Sequence, residues 1–153
     1  MSRQRFALRL EANPGNDATD IPQARRVRRH TIVADGKPPI DGSSAKAFRG
    51  EASRWNPEEL FIAALAQCHY LSFVHVATSQ GIDILDYRCE ATGVLDVDAE
   101  GYGQIVEVVL EPEVTVAAQH GAGLEAAHAK AHDLCFIARS VSCEVTVKPR
   151  THA

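Results

Sequence analysis

The stretch NPEELFIAALAQCH, Asn56–His69, decides the fold of this chain. It opens with helix-start signals: Asn56 is a good N-cap, Pro57 suits the first helical position, and two glutamates follow that complement the positive end of a helix. Apolar residues then occupy nearly the whole circumference as far as Gln80, and Gly81 ends the helix. A helix that is apolar on all faces is buried, so we predict a central helix that spans the domain.

Shorter elements surround this helix. Residues 41–56 hold no convincing period and are predicted to form a loop, whereas 124–139 predict a second helix. Pro112 predicts a bulge or an edge position in its strand. The order of elements predicts one α+β domain over 1–153. Alternating apolar residues predict strands over 4–12, 27–34, 87–97, 104–116 and 141–148, with a hairpin turn at 98–101.

Composition restricts the class of protein. With 153 residues, 45% of them hydrophobic and 24% charged, the chain is expected to fold as a soluble globular domain. A net charge of −4 argues against a nucleic-acid or membrane-surface binder. We expect no membrane span, because no stretch approaches the ~18 apolar residues that a span needs. Four cysteines without a visible signal peptide predict a cytoplasmic protein whose cysteines are thiols, ligands or redox centres.

The predicted central helix also has consequences for assembly. A few strands and one other helix of the same chain are too little to cover a helix that is apolar all round. We therefore expect a homodimer in which the central helices pack together.

Two cysteines are the candidate chemical groups. Cys68 and Cys135 lie on the two predicted helices, 67 positions apart, so only the fold can bring them together. Burial disfavours the Cys68 thiolate unless a cation is near, and an arginine from the cluster at 25–29, oriented by Glu58 or Glu59, is the best candidate. Cys135 sits near the negative end of its predicted helix, which also disfavours a thiolate. This asymmetry predicts that Cys68 attacks a peroxide and that Cys135 resolves the product as a disulfide.

Other readings of these residues remain open at this point. Buried free cysteines are often only small apolar residues, as we expect for Cys89 and Cys143. A metal site is a second alternative, because four potential ligands have suitable spacing: Cys68, His128, His132 and Cys135. A small-molecule binding module with unreactive cysteines is a third. We expect the two histidines of the central helix, His69 and His75, to be hydrogen-bonded core residues.

Several motifs, taken together, resemble the OsmC/Ohr family of thiol peroxidases. The resemblance runs from about residue 25 to residue 148 and is closest to the OsmC-like branch whose first cysteine is followed by histidine. It rests on GSS at 42–44, AFRG at 47–50, NPEEL at 56–60, CH at 68–69 and AHDLCFIARS at 131–140.

The resemblance implies an OsmC-like α+β fold, built as an intertwined homodimer with two long central helices wrapped by antiparallel sheets. It also implies reduction of organic hydroperoxides at active sites in the subunit interface, without a cofactor or metal. A dithiol reductant, such as a lipoyl protein, is the expected partner, and no nucleic acid or membrane is expected.

Matched position by position, the resemblance makes Cys68 the peroxidatic cysteine and Cys135 the resolving one. It makes Glu58 the carboxylate that holds the catalytic arginine, and Arg28 fits that arginine best, in an Arg-x-His element. Arg29 is an alternative, because it stands where this branch commonly has an acid. On one straight helix Glu58 and Cys68 are ~15 Å apart along the axis, so their cooperation requires a kink or the partner subunit.

Overall fold

The computed structural model describes residues 3–12, 22–23, 27–117 and 123–151. Two compact units divide the chain, residues 1–60 and residues 61–153. The long helix α1, Pro57–Ser79, begins in the first unit and continues through the second. Two arginines of the cluster at 25–29, Arg25 and Arg26, lie outside the described residues.

The first unit contains a three-stranded antiparallel sheet. Its strands are β1 (Arg9–Glu11), β2 (His30–Val33) and β3 (Ile40–Gly42), with β2 in the centre. Strands β1 and β2 are shorter than the predicted segments 4–12 and 27–34, to which they correspond. The predicted loop at 41–56 is mostly correct, but it also contributes β3 and a 3-10 turn, Lys46–Phe48.

A close approach of backbone segments closes this loop. The Gly50 N–H donates to the carbonyl of Ala45 at 3.0 Å. A Cβ atom at Gly50 would lie 1.6 Å from the carbonyl oxygen of Ser44, a separation that no side chain tolerates. Glycine is therefore required here because two backbone segments touch, which positions the following Glu51.

Helix α1 starts as the sequence predicts. The Glu59 N–H donates to Asn56 Oδ1 at 2.8 Å, and the Asn56 N–H donates to Glu59 Oε2 at 3.3 Å. This reciprocal capping box satisfies two backbone donors that a helix start otherwise leaves without partners. The helix is uninterrupted to Ser79, one residue short of the predicted end.

The prediction that α1 is buried on all faces is wrong for the single chain. One stripe is buried, comprising Leu65, His69, Phe73, Val76 and Ala77. Leu71, on another face, is 58% exposed, and His75 is exposed although we expected it in the core. By length and composition alone α1 is apolar enough to cross a membrane, contrary to our reading of the sequence, but core helices of globular proteins meet the same criterion.

The second unit is built on a long antiparallel hairpin. Strands β4 (Ile84–Val97) and β5 (Gly103–Val116) pair along their length, and the Asp98 carboxylate caps the turn by accepting the Tyr102 N–H at 2.8 Å. Strands β6 (Glu144–Val147) and β7 (Arg150–Thr151) both pair with β5 in parallel. The parallel pairing of β6 follows from the helical crossover that connects it to β5.

Pro112 pairs regularly with β4, and the register shifts of the hairpin lie elsewhere, at 84–86 and 94–95. On the other side of β5 the neighbouring strand changes at this point, because β6 pairs up to Leu110 and β7 from Glu113. Pro112 is therefore not at a bulge. It occupies the gap between two partner strands, where its missing N–H removes no ladder hydrogen bond.

Helix α2, Leu124–Leu134, packs its buried face on α1. The two helices and β5 form the main core cluster, and a second cluster lies nearer the start of α1. The main cluster comprises Phe73, Val76, Ala77, Val114, Leu124, Ala127 and Ala131, and the second comprises Leu65, Val108 and Leu110. Cys89 and Cys143 both pack against the second cluster, as expected for packing residues.

Candidate functional site

Cys68 lies on α1 in the second unit and faces the segment that follows α2. Its side chain is half-buried, and its Sγ accepts a hydrogen bond from the backbone N–H of Ile137 at 3.5 Å. The amide therefore provides a fixed partial positive charge at this sulfur.

Cys135 is not in the second helix, contrary to the prediction that the helix runs to Arg139. The helix ends at Leu134, and Cys135 has extended dihedral angles, φ −70° and ψ 107°. The chain then turns into a 3-10 segment, Ala138–Ser140, and the Ala138 N–H donates to Cys135 Sγ at 3.5 Å. The sequence predicted only the negative helix end, which disfavours a thiolate at Cys135. The Ala138 N–H acts in the opposite direction, and the sequence did not reveal it.

The fold brings the two thiols together. Burial, together with a hydrogen bond between its side chain and that of Cys68, raises the pKa of Cys135 to about 11, although the backbone N–H groups of Ala138 and Ile137 act in the opposite direction. Cys135 is 1% exposed, so it is a protonated, nearly inaccessible thiol at neutral pH. Cys68 is the more exposed partner. The Ile137 N–H donates to Cys68 and also interacts with Cys135, and the Ala138 N–H donates to Cys135.

A buried histidine pair lies beside the thiols. His69 Nε2 and His128 Nδ1 are 3.1 Å apart, and the His128 ring stacks on Phe73 with ring centroids 4.1 Å apart. Burial lowers the pKa of both histidines to about 4; for His69 the charges of His128 and His132 add to this effect. Both rings are consequently neutral at pH 7. The sequence predicted a hydrogen-bonded core role for His69 but did not identify its partner.

The predicted arginine and glutamate lie in the first unit, where the observed ion pair is a different one. Arg29 Nε and Nη2 donate to the two carboxylate oxygens of Glu51, at 2.5 and 2.9 Å. Both side chains are largely buried, at 17% and 14% exposed. Sequence reasoning missed Glu51 because it lies in an aperiodic loop, 22 positions from Arg29. Pairing of Glu58 with Arg28 thus stays a prediction.

Glu58 itself has one unusual property. Its Oε2 atom is buried and has no hydrogen-bond partner among the described residues. An unpartnered buried carboxylate oxygen is costly, so a donor that lies outside the described contacts of this chain would stabilise it.

The metal alternative finds no support in the described part of the chain. No group of three or more His, Cys, Asp or Glu side chains there is arranged to hold a metal ion. The Nδ1 atom of His128 meets His69, which is not one of the four ligands that the alternative required.

An open pocket is lined by the first part of α1, the start of β5 and the segment that leads into β6. It has a volume of about 370 Å³ and includes Phe61, Ile105, Ser140 and Val141 in its lining. Phe61 precedes Cys68 by seven positions, which places the two side chains on the same face of α1. Ser140 belongs to the 3-10 segment that follows the two N–H donors.

Solved structures with the same fold come from several bacteria. An OsmC-like protein of unknown function from Vibrio cholerae is 28% identical, with a TM-score of 0.80 and coverage of 97% of this chain and 100% of the other. A protein from Legionella pneumophila described as an organic hydroperoxide resistance protein OsmC is 26% identical, with a TM-score of 0.69 and coverage of 99% and 100%. The organic hydroperoxide resistance protein OhrB of Bacillus subtilis is 25% identical, with a TM-score of 0.62 and coverage of 96% and 98%.

A search of curated protein sequences found no match. The model of the OsmC-like protein family matches residues 50–150, which include both thiols and the helix that carries Cys68. The resemblance seen in the motifs and the predicted α+β fold are therefore confirmed, and the chain belongs to the OsmC-like protein family.

Proposed function

We propose that this protein is a thiol-dependent peroxidase that reduces organic hydroperoxides through Cys68 and Cys135. The observation that carries the proposal is the juxtaposition of two thiols that are 67 positions apart in sequence, at a turn whose backbone N–H groups donate to both sulfurs. Family membership supports the reaction class, since two of the similar structures are described as organic hydroperoxide resistance proteins.

The roles of the two cysteines follow from their surroundings. The Cys68 thiolate attacks one peroxide oxygen, so an S–O bond forms, the O–O bond breaks, and the alcohol leaves after taking up a proton. Cys135 then attacks the Cys68 sulfenic acid, so the S–S bond forms and water leaves. Cys135 is unsuited to the first step because it is buried and its pKa is raised to about 11.

Arg28 is our candidate for the arginine that assists the first step. The Arg29 guanidinium already has a carboxylate partner in Glu51, so we do not expect it to be the arginine that Glu58 orients. Glu58, whose Oε2 is buried without a partner in the described residues, is the carboxylate that we expect to orient Arg28. Arg28→Gln is then expected to slow Cys68 oxidation, whereas Arg29→Gln should lower stability more than the rate per folded molecule.

A homodimer completes the proposal. Phe6, Leu8 and Leu10 alternate along the N-terminal segment and are 92%, 65% and 60% exposed, while Leu71 of α1 is 58% exposed. Apolar surfaces of this kind are covered in stable assemblies, and a second copy of the chain is the simplest cover. Light scattering at micromolar concentration tests this directly: the expected mass is twice 16.6 kDa.

The pocket that Phe61 lines is our candidate for the site that binds the organic group of the peroxide. Phe61, Ile105 and Val141 offer apolar contacts to an alkyl or aryl tail, which hydrogen peroxide lacks. We expect cumene hydroperoxide to react faster than hydrogen peroxide. Equal rate constants would contradict an alkyl-binding role for this pocket.

Recycling requires a reductant that opens a disulfide. We propose a dithiol such as protein-bound dihydrolipoamide, and a cytoplasmic location in keeping with four free cysteines. No cofactor enters the proposed cycle.

The test is consumption of cumene hydroperoxide with dihydrolipoamide as reductant, for the wild type, Cys68→Ser and Cys89→Ser. We expect catalytic turnover by the wild type and by Cys89→Ser, and none by Cys68→Ser. If the wild type binds hydroperoxide without consuming it, the protein is a small-molecule binding module and the proposed chemistry is wrong.

A further inference from the structure

We propose that the hydrogen bond between His69 and His128 is a positioning device, which holds Cys135 where it can capture oxidised Cys68. The inference rests on the proposed peroxidase function. It assigns the histidine pair to the disulfide-forming step and not to the attack on peroxide.

The pair connects α1, which carries Cys68, with α2, which ends one residue before Cys135. His69 follows Cys68 directly on α1, and His128 lies on α2, seven positions before Cys135. The nitrogens are 3.1 Å apart, and the side chains are 0% and 2% exposed. The hydrogen bond therefore joins the helices about two turns of α2 from the point where the thiols meet.

Apolar packing between α1 and α2 does not by itself set this geometry. The surrounding contacts come from Phe73, Ala127 and Ala131, and such contacts are non-directional. A buried hydrogen bond is directional, because a shift of the helices that breaks it leaves two polar atoms without partners in an apolar core. The polar pair thus selects one register among several that apolar contacts would tolerate.

His69 restricts the register of the two helices further. Its other ring nitrogen, Nδ1, is buried and has no hydrogen-bond partner among the described residues. Within that part of the chain, the bond to His128 is the only side-chain hydrogen bond of this imidazole. Breaking it leaves the whole ring unsatisfied, so the helices have no low-energy alternative arrangement nearby.

The disulfide-forming step is the one that depends on this register. Attack on peroxide involves Cys68 and a small mobile molecule, which can adjust its own position. Closure of the disulfide requires the sulfur of one element to reach the sulfur of another, and disulfide geometry permits only a narrow range of separations. A loosened helix pair should therefore slow closure much more than attack.

Two substitutions at position 128 separate the hydrogen bond from the packing. His128→Phe keeps a ring that can stack on Phe73 but removes the nitrogen that meets His69. His128→Asn places an amide atom near the position of Nδ1 but loses the ring, so it keeps the hydrogen bond and loses the stacking. His75→Phe is the matched control, since His75 is an exposed histidine on α1.

The experiment is rapid quench of reduced protein with one equivalent of cumene hydroperoxide, read by intact mass with and without dimedone. Dimedone traps the sulfenic acid, and the loss of two hydrogens reports the disulfide. We expect His128→Phe to form sulfenic acid at the wild-type rate and to close the disulfide at least tenfold more slowly. His128→Asn and His75→Phe should close it within about threefold of the wild type.

Disulfide closure by His128→Phe at the wild-type rate would overturn the inference. Faster closure by His128→Phe than by His128→Asn would also overturn it, because a pure packing role predicts that ranking of the two variants. His69→Leu removes the same hydrogen bond from α1 and gives a second comparison if His128→Phe does not fold; closure at the wild-type rate in this variant also overturns the inference. Wild-type protein that forms neither sulfenic acid nor disulfide would refute the peroxidase function itself, and the inference with it.

Discussion

The N–H of Ile137 is the feature whose removal tests the activation of Cys68 most cleanly. It donates to Cys68 Sγ at 3.5 Å, and proline at position 137 deletes this single donor. Ile137 has φ −71°, which lies within the range that the proline ring imposes. Its side chain is partly exposed, so the substitution disturbs little packing.

The expected magnitude follows from the charge on the acceptor. A hydrogen bond to a charged group contributes about 1.5–3 kcal/mol. We take the lower value, about 1.5 kcal/mol, because 3.5 Å is long even for sulfur. Since 1.4 kcal/mol corresponds to about a factor of ten, we expect Ile137→Pro to slow thiolate reactions of Cys68 about tenfold at pH 7.

The assay is alkylation by iodoacetamide, followed at the Cys68 peptide by mass spectrometry in a Cys135→Ser background. Alkylation reports thiolate character without requiring any peroxide chemistry. Ile137→Ala is the matched control, because it shortens the side chain and keeps the N–H, and its rate should stay within twofold of the parent. The urea midpoint of each variant verifies that it is folded.

Folded Ile137→Pro that reacts as fast as Ile137→Ala would show that this N–H does not activate Cys68. In that case the Ile137 N–H is close to Cys68 Sγ without affecting its reactivity, and stabilisation of the thiolate must come from another group. The arginine proposed to come from the first unit would then carry the entire effect.

Three further predictions follow from the core and from the titrating groups. Because the pKa of Cys135 is raised to about 11, its thiolate fraction should increase with pH between pH 7 and 9. Rapid-quench mass spectrometry should therefore show disulfide formation accelerating by up to about tenfold per pH unit. A pH-independent rate would show that deprotonation of Cys135 does not limit closure. Phe73→Ala should lower the free energy of unfolding by about 3–5 kcal/mol in urea, because Phe73 is fully buried and stacks on His128; a loss below about 1 kcal/mol would mean that the core collapses around the cavity. The pKa values of His69 and His128 are lowered to about 4, so between pH 6.5 and 4 the unfolded chain binds more protons than the folded one. The free energy of unfolding should therefore fall on acidification by up to about 1.4 kcal/mol per pH unit for each histidine. An equally steep fall for His128→Phe in urea titrations would show that the histidine pair does not cause it.

Local signals made the central helix predictable. The capping box at Asn56 and Glu59 and the stop at Gly81 act within a few residues of the helix ends, so the observed helix agrees with the prediction to within one residue. Its burial was not predictable in the same way. An apolar circumference indicates that something covers the helix, but the pattern does not say whether the cover comes from the same chain.

The parts of the site that the sequence did not predict depend on contacts between distant positions. Nothing in AHDLCFIARS announces a helix stop at Leu134, since it has no glycine or proline, and the turn is stabilised by amides that donate to the sulfurs. The His69–His128 bond joins positions 59 apart, and the Arg29–Glu51 pair joins positions 22 apart. Such partners become visible only in the folded chain.

Intact mass and thiol titration, before and after one equivalent of cumene hydroperoxide, show whether Cys68 and Cys135 form a redox pair. We expect the wild type to lose two thiols and two mass units, peptide mapping to find Cys68 joined to Cys135, and Cys68→Ser to show neither change. Unchanged thiols in the wild type, or a disulfide that involves Cys89 or Cys143, would contradict this pairing.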